Sequence, residues 1–163
     1  MRRTSFEDMN CPIARSLDLI GDWWTLLILR NAFCGIRHFQ DFQNHLGISS
    51  GTLTNRLQRL TDQEILERLP NPTDGRVYEY ELSEKGRQLF PLLLVLTEWG
   101  ERWLPHPQGR RIRLVKRDSG QAITGLCAIA EDGSQVALED IVALPGPAAD
   151  EDTWVLINAQ QKL

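Results

Sequence analysis

The side chains best suited to chemistry lie together between Ser49 and Arg59. Leu53, Leu57 and Leu60 carry the spacing of one buried helical face. With those leucines turned inward, steps of about 100° place Gly51, Asn55, Gln58 and Asp62 directly outward. Thr52 and Arg59 fall on one shoulder of that face, Thr54 on the other, and Arg56 nearer the buried edge. Asn and Gln match the edge of adenine, Arg matches guanine or phosphate, and Thr serves either. Residues 42–61 contain no Asp or Glu, although the chain carries a formal net charge of −4. A stretch without carboxylates inside an acidic molecule suits a polyanionic partner. The plainer alternative is a helical hairpin that only packs, with a solvated outer face.

Other reactive groups are sparse. Arg68 and Arg76 flank a turn, where arginine grips phosphate and adds affinity with little base reading. A solvated turn charge with Asp74 beside it explains Arg76 equally well. Cys11 stands at a predicted helix N-terminus with Arg15 one turn on, a setting in which thiols tend to be reactive. A small packing residue without reactivity is its alternative. Cys34 and Cys127 sit in apolar runs and are expected to be inert. No C-x-x-C pair exists, and His38, His45 and His106 are scattered, so no metal site is expected. Glu139 and Asp140 are neighbours on a predicted strand and point to opposite faces, so they cannot share a reacting centre. Neither a phosphate-cradling glycine loop nor a nucleophile elbow is present, so no catalytic activity or cofactor is expected.

Several elements must position these groups. Asn10 is expected to cap a first helix that ends at Gly21, and Asp22 a second running from Trp23 to Phe33. Arg37 to Leu46 supplies a third, and a break at Gly47-Ile48 leads to the helix of Leu53, capped by Ser49 or Ser50. Ile65–Leu69 and Val77–Leu82 alternate as two strands around the Pro70, Pro72 and Thr73-Asp74-Gly75 loop. Ser83 caps a last helix reaching Leu104, with a kink expected at Pro91. Leu89, Leu92, Leu96, Trp99 and Trp103 form a heptad-like seam along it. With Ile13, Leu17 and Ile20 of the first helix, that seam predicts a two-fold dimer. Helices, a hairpin and a closing helix make an α+β winged helix-turn-helix, residues 1–104, with a long C-terminal dimerisation helix.

The composition shifts at residues 105–109, Pro-His-Pro-Gln-Gly, and residues 105–163 read as a small β-rich module. In it Arg111–Arg117, Gln121–Ile129 and Gln135–Val142 are predicted strands, and Trp154–Ile157 returns as a strand or docks. The basic run Arg110–Arg117 either extends a DNA footprint or is a solvated strand face.

Motifs of one family appear in order along residues 11–103. Cys11-Pro12, the run Leu19-Ile20-Gly21-Asp22-Trp23-Trp24-Thr25-Leu26-Leu27-Ile28-Leu29-Arg30 and Arg37-His38-Phe39 resemble the HxlR-type winged-helix transcriptional regulators. So do Ile48-Ser49, Leu53-Thr54, Arg56-Leu57, Leu82-Ser83-Glu84-Lys85-Gly86 and Trp99-Gly100. The resemblance implies a dimeric DNA-binding protein, and some members resemble redox or electrophile sensors through a cysteine at the place of Cys11. Trp23 departs from the pattern, which has a smaller or basic residue there.

The 163 residues are 42% hydrophobic and 25% charged, enough to bury a core in a soluble chain. The unbroken apolar stretch Leu92–Leu96 is far short of the ~20 residues a bilayer span needs. Met1-Arg2-Arg3 is followed by polar residues, which argues against export and for a cytoplasmic protein. The sequence therefore predicts a homodimeric regulator reading double-stranded DNA through Ser49, Ser50, Thr52, Thr54, Asn55, Arg56, Gln58, Arg59 and Arg76. Its effector would be a small molecule or a redox signal at Cys11. A winged-helix module that senses or binds a partner without reading DNA is the alternative.

Overall fold

The computed structural model describes residues 5–110, 112–123 and 126–160. Helix α1, Pro12–Ile20, starts on Cys11 and not on Asn10, because Cys11 is the last extended residue and Pro12 takes the first helical position. Gly21 closes α1 by donating its N–H to the Leu17 carbonyl at 2.8 Å. A Cβ at Gly21 would stand 2.4 Å from that same oxygen, so only glycine fits. Helix α2, Trp23–Phe33, is capped by Asp22, whose carboxylate accepts the Thr25 N–H at 3.1 Å. Arg37 and His38 do not join the next helix as expected. Tyr80 donates its N–H to the Arg37 carbonyl at 2.8 Å and His38 bridges Glu79, so these residues run alongside the hairpin. Helix α3, Phe39–Leu46, begins after them.

Gly47 turns the chain at φ 62° into helix α4, Ser50–Asp62, capped by Ser49. Strands β1, Leu66–Pro70, and β2, Tyr78–Leu82, pair antiparallel with Leu66 opposite Leu82 and Arg68 opposite Tyr80. The core holds Ile28 and Leu29 of α2, Phe42 of α3, Leu53, Leu57 and Leu60 of α4, and Ile65 and Leu66. Buried Asn31 ties α2 to α3, its amide nitrogen 3.0 Å from His45 Nδ1.

The expected kinked helix is two helices. Short α5, Glu84–Arg87, stops before α6, Phe90–Trp103. Pro91 has no N–H to offer the Arg87 carbonyl, so it opens a new helix where a kink was predicted. Ser83 joins α5 to the hairpin: its hydroxyl donates to the Glu64 carbonyl at 2.6 Å and accepts the Gly86 N–H at 3.0 Å.

The chain divides into two compact units, Met1–Pro105 and His106–Leu163. In the second, regular strand is scarcer than predicted. A single bridge joins Val115 to Ala122, and β3, Ala128–Ile129, pairs with β4, Gln135–Val136. Arg111, Thr124 and Gly125, within predicted strands, lie outside the described residues. Leu138–Asp140 forms a turn of 3-10 helix in place of continued strand. Trp154–Ile157 belongs to helix α7, Glu151–Gln160, and not to a strand. Asp150 explains the difference: its carboxylate accepts the Thr153 N–H at 2.9 Å, and Glu151 and Asp152 suit the helix's positive end.

Two glycines test this packing. A Cβ at buried Gly86 would meet the Ile65 carbonyl at 2.2 Å, whereas Gly51 in α4 faces open space. Gly86→Ala should lower unfolding free energy by about 1–3 kcal/mol. Gly51→Ala should leave it unchanged or raise it by up to about 1 kcal/mol, both read from urea denaturation.

Candidate nucleic-acid interface

Helix α4 is held by one side and open on the other. Leu53, Leu57 and Leu60 are buried, while Ser50, Gly51, Thr54, Asn55 and Gln58 are exposed. The Ser49 hydroxyl accepts the Thr52 N–H at 3.2 Å and lies 2.8 Å from the Thr52 hydroxyl. Both residues thus serve the cap. Gln58 donates to Asp62 at 2.7 Å, one turn on. Among the described hydrogen bonds, none engages the side chain of Thr54 or Asn55, and these face water from the middle of the helix.

The two arginines of α4 point elsewhere. Spacing put Arg59 beside Asn55 as a base reader, but its guanidinium lies back on α1. Nη2 donates to the Asp18 carbonyl at 2.6 Å and to the Asp18 carboxylate at 3.2 Å. Arg56 Nη2 donates to the Asp22 carboxylate at 2.8 Å. All four partners are at least half-shielded from solvent, the arginine side chains being 27% and 37% exposed and the aspartates 18%. The stretch without carboxylates is therefore neutralised in space by α1 and by the cap of α2. Asp22 is visible in the sequence only as a cap, and Asp18 carries no sequence signal, because the pairs close over 34 and 41 residues.

The loop between β1 and β2 is ordered by Asn71, which accepts the Thr73 and Asp74 N–H groups at 2.9 and 3.0 Å. Asn71 also donates to Glu79 at 2.5 Å. Arg76 stands exposed at this tip, and among the described hydrogen bonds only its backbone N–H takes part, donating to Asp74 at 3.0 Å. Arg68 lies over the Tyr78 ring, 3.7 Å from its centroid. On the opposite side of β2, Arg37 is paired with Glu81 and so adds no free charge.

The seam residues separate into two groups. Leu89, placed on the seam by spacing, packs against the core, and neighbouring Phe90 meets Phe33 with ring centroids 4.8 Å apart. The break before α6 turns Leu89 inward. Leu92, Leu96, Trp99 and Trp103 are exposed, as are Val95 and, on α1, Ile13 and Leu17, while Ile20 is buried. Cys11 is half-buried, and both Cys34 and Cys127 are exposed, contrary to the apolar surroundings expected from their neighbours. Cys34 is solvated because it caps the C-terminus of α2 at the Gly35 turn. Among the described residues no three His, Cys, Asp or Glu groups assemble a metal site, and no helix is long and apolar enough to cross a membrane.

Known proteins resemble this arrangement. The HxlR-like helix-turn-helix family matches residues 19–108. The uncharacterized HTH-type transcriptional regulator Rv3095 of Mycobacterium tuberculosis is 37% identical over 135 residues, 83% of this chain and 85% of that protein. The solved structure of PA1607, a candidate transcription factor, is 42% identical with TM-score 0.79 and covers 88% of this chain and 100% of its own. The redox regulator HypR in its oxidized form is 30% identical, with TM-score 0.52, covering 63% of this chain and 100% of its own.

The tie between α4 and α1 should be measurable as coupling. In a double-mutant cycle of Asp18→Asn and Arg59→Gln, urea denaturation should give an interaction of about 0.5–1 kcal/mol, shrinking in high salt. Additive single effects at low salt would remove the ion pair from the account.

Proposed function

The chain belongs to the HxlR-like helix-turn-helix family and is a helix-turn-helix transcriptional regulator, and we propose that it works as a homodimer on a two-fold operator in double-stranded DNA. The observation that carries this reading is the one-sided burial of α4. Three leucines fix the helix, and the side chains opposite them are open and rich in hydrogen-bonding groups. Thr54, Asn55 and Gln58 would meet base edges in the major groove, with Ser50 and Thr52 near the phosphates at the helix start. Arg76 at the wing tip would hold phosphate. Arg56 and Arg59 would hold the flank of α4 to Asp22 and Asp18, adding little net charge to the DNA-facing surface.

The exposed side of α6 supports the dimer. Leu92, Leu96, Trp99 and Trp103, with Ile13 and Leu17 of α1, are large apolar side chains left exposed, the kind of surface that a second copy would cover. Pairing this surface with a second copy would set two α4 helices about one DNA turn apart or a small multiple of it. A regulator that reads chromosomal DNA in this way would work in the cytoplasm.

Base reading and phosphate gripping should separate by mutation. Asn55→Ala should cost ~1–3 kcal/mol on the cognate site, with preference relaxed at particular base pairs. Arg76→Ala should weaken cognate and random DNA by similar factors and make the salt slope shallower by about one unit per subunit. Fluorescence anisotropy with DNA flanking the protein's own coding region reads both. Unchanged binding in both variants would mean that another surface meets DNA, and a parent without salt-dependent DNA binding would favour a partner-binding module. For the dimer, light scattering should show two copies at micromolar concentration and one for Trp99→Glu with its helical content intact. A monomeric parent, with or without DNA, would refute the two-fold arrangement.

A further inference from the structure

The free positive charge of this chain is not concentrated on the DNA-facing helix. Residues 1–105 hold 14 Asp and Glu against 12 Lys and Arg. Around α4 and the hairpin, Arg37, Arg56 and Arg59 close ion pairs and Arg68 lies on Tyr78, which leaves Arg76. A DNA duplex carries one negative charge per about 1.7 Å of axis, and neutralising it supplies essentially all of the sequence-independent affinity. The basic concentration is instead Arg110–Arg117, five Lys and Arg in eight positions. Between Arg102 and Glu131 the one carboxylate is Asp118. This run starts beyond residue 108, where the match to the family ends.

The second unit builds a small hairpin from this run. Val115 bridges Ala122, and the Ile123 N–H donates to the Leu114 carbonyl at 3.0 Å. The turn closes where the Lys116 carbonyl accepts the Gly120 N–H at 2.8 Å, with Gly120 at φ 68°, a left-handed conformation that glycine favours. Lys116 meets Asp118 at 3.0 Å with both side chains well solvated, so that pair is weak. Arg113, before the bridge, and Arg117, at the turn, are exposed. Among the described hydrogen bonds and ion pairs, none engages either guanidinium. The planar fork of arginine takes two oxygens of one phosphate. Residues 104–153 contain no Phe, Trp or Tyr, so this segment has no platform on which unpaired bases could stack. That composition favours the outside of a duplex over single-stranded nucleic acid.

We propose that Arg113 and Arg117 grip the phosphate backbone of double-stranded DNA, so that the second unit supplies electrostatic affinity that the ion pairs of α4 withhold. The contact is blind to sequence and leaves base choice to Thr54, Asn55 and Gln58. It rests on the DNA-binding reading above and extends the footprint past the winged helix.

Fluorescence anisotropy of the full chain, titrated at several salt concentrations against DNA flanking its coding region and against random duplex, tests the site. The double variant Arg113→Gln/Arg117→Gln should bind both duplexes about tenfold more weakly, with a salt slope shallower by about two units per subunit. Arg113→Lys/Arg117→Lys keeps the charge and should keep the slope, which separates phosphate contact from damage to the hairpin. Arg87→Gln removes one charge from exposed Arg87 of α5 and should leave the slope unchanged. An unaltered slope in the Gln variant, a loss confined to the cognate site, or an equal shift from Arg87→Gln overturns the proposal. In each of those cases the parent still binds DNA, so the functional reading survives. A parent without salt-dependent DNA binding overturns that reading and the proposal with it.

Discussion

Helix α4 must be gripped on one side only, and the rest of the first unit is arranged around that requirement. Leu53, Leu57 and Leu60 are almost completely removed from water, which contributes roughly 1.5–3 kcal/mol for each buried side chain. Their partners come from every neighbouring element: Ile28 and Leu29 of α2, Phe42 of α3, and Ile65 and Leu66 entering the hairpin. Because all of this burial lies behind α4, its front can remain polar without loss of stability. A helix buried all round could not present Asn55 to anything.

Apolar burial fixes the depth of α4 but is non-directional, and polar contacts set its rotation and ends. Ser49 and Gly47 fix where it begins. Ser83 binds the residues just after it to α5 through the Glu64 and Ile65 carbonyls, and Gly86 leaves room for the Ile65 carbonyl beside it. Arg56 and Arg59 tie its flank to the cap of α2 and the end of α1. These ion pairs are partly solvated, so each contributes modestly to stability. Their larger effect is electrostatic, since they offset the positive charge that the sequence concentrates on α4.

The α6 helix shows how a single residue redirects a face. A continuous helix from Ser83 would have aligned Leu89 with Leu92 and Leu96. The interruption before Phe90 sends Leu89 and Leu93 into the body, where they pack against the core, and leaves the tryptophans outside. The second unit has a different character. Ile157 is its buried hydrophobic side chain among the described residues, and Trp154, Val155 and Leu156 of the same helix are exposed. Its order rests chiefly on turns and local hydrogen bonds such as those of Asp132 and Asp150.

Local rules made much of this protein legible in the sequence. Helical spacing identified the inward leucines of α4, Asp22 and Ser49 announced their caps, and turn chemistry marked the hairpin between β1 and β2. Ordered motifs from Cys11 to Trp103 identified the family. These features depend on neighbours within a few residues, so the linear chain contains them. Tertiary structure decided whatever depends on distant neighbours. Arg59 met Asp18 and Arg56 met Asp22 only once α1 and α2 had packed on α4, which turned an expected base reader into a tie. Leu89 joined the core because Pro91 withheld a hydrogen bond from Arg87. Trp154–Ile157 became helical because Asp150 supplied a cap that outweighed the strand preference of Val and Ile. Spacing specifies which face a residue occupies on its own element, but the partner across that face is chosen by packing.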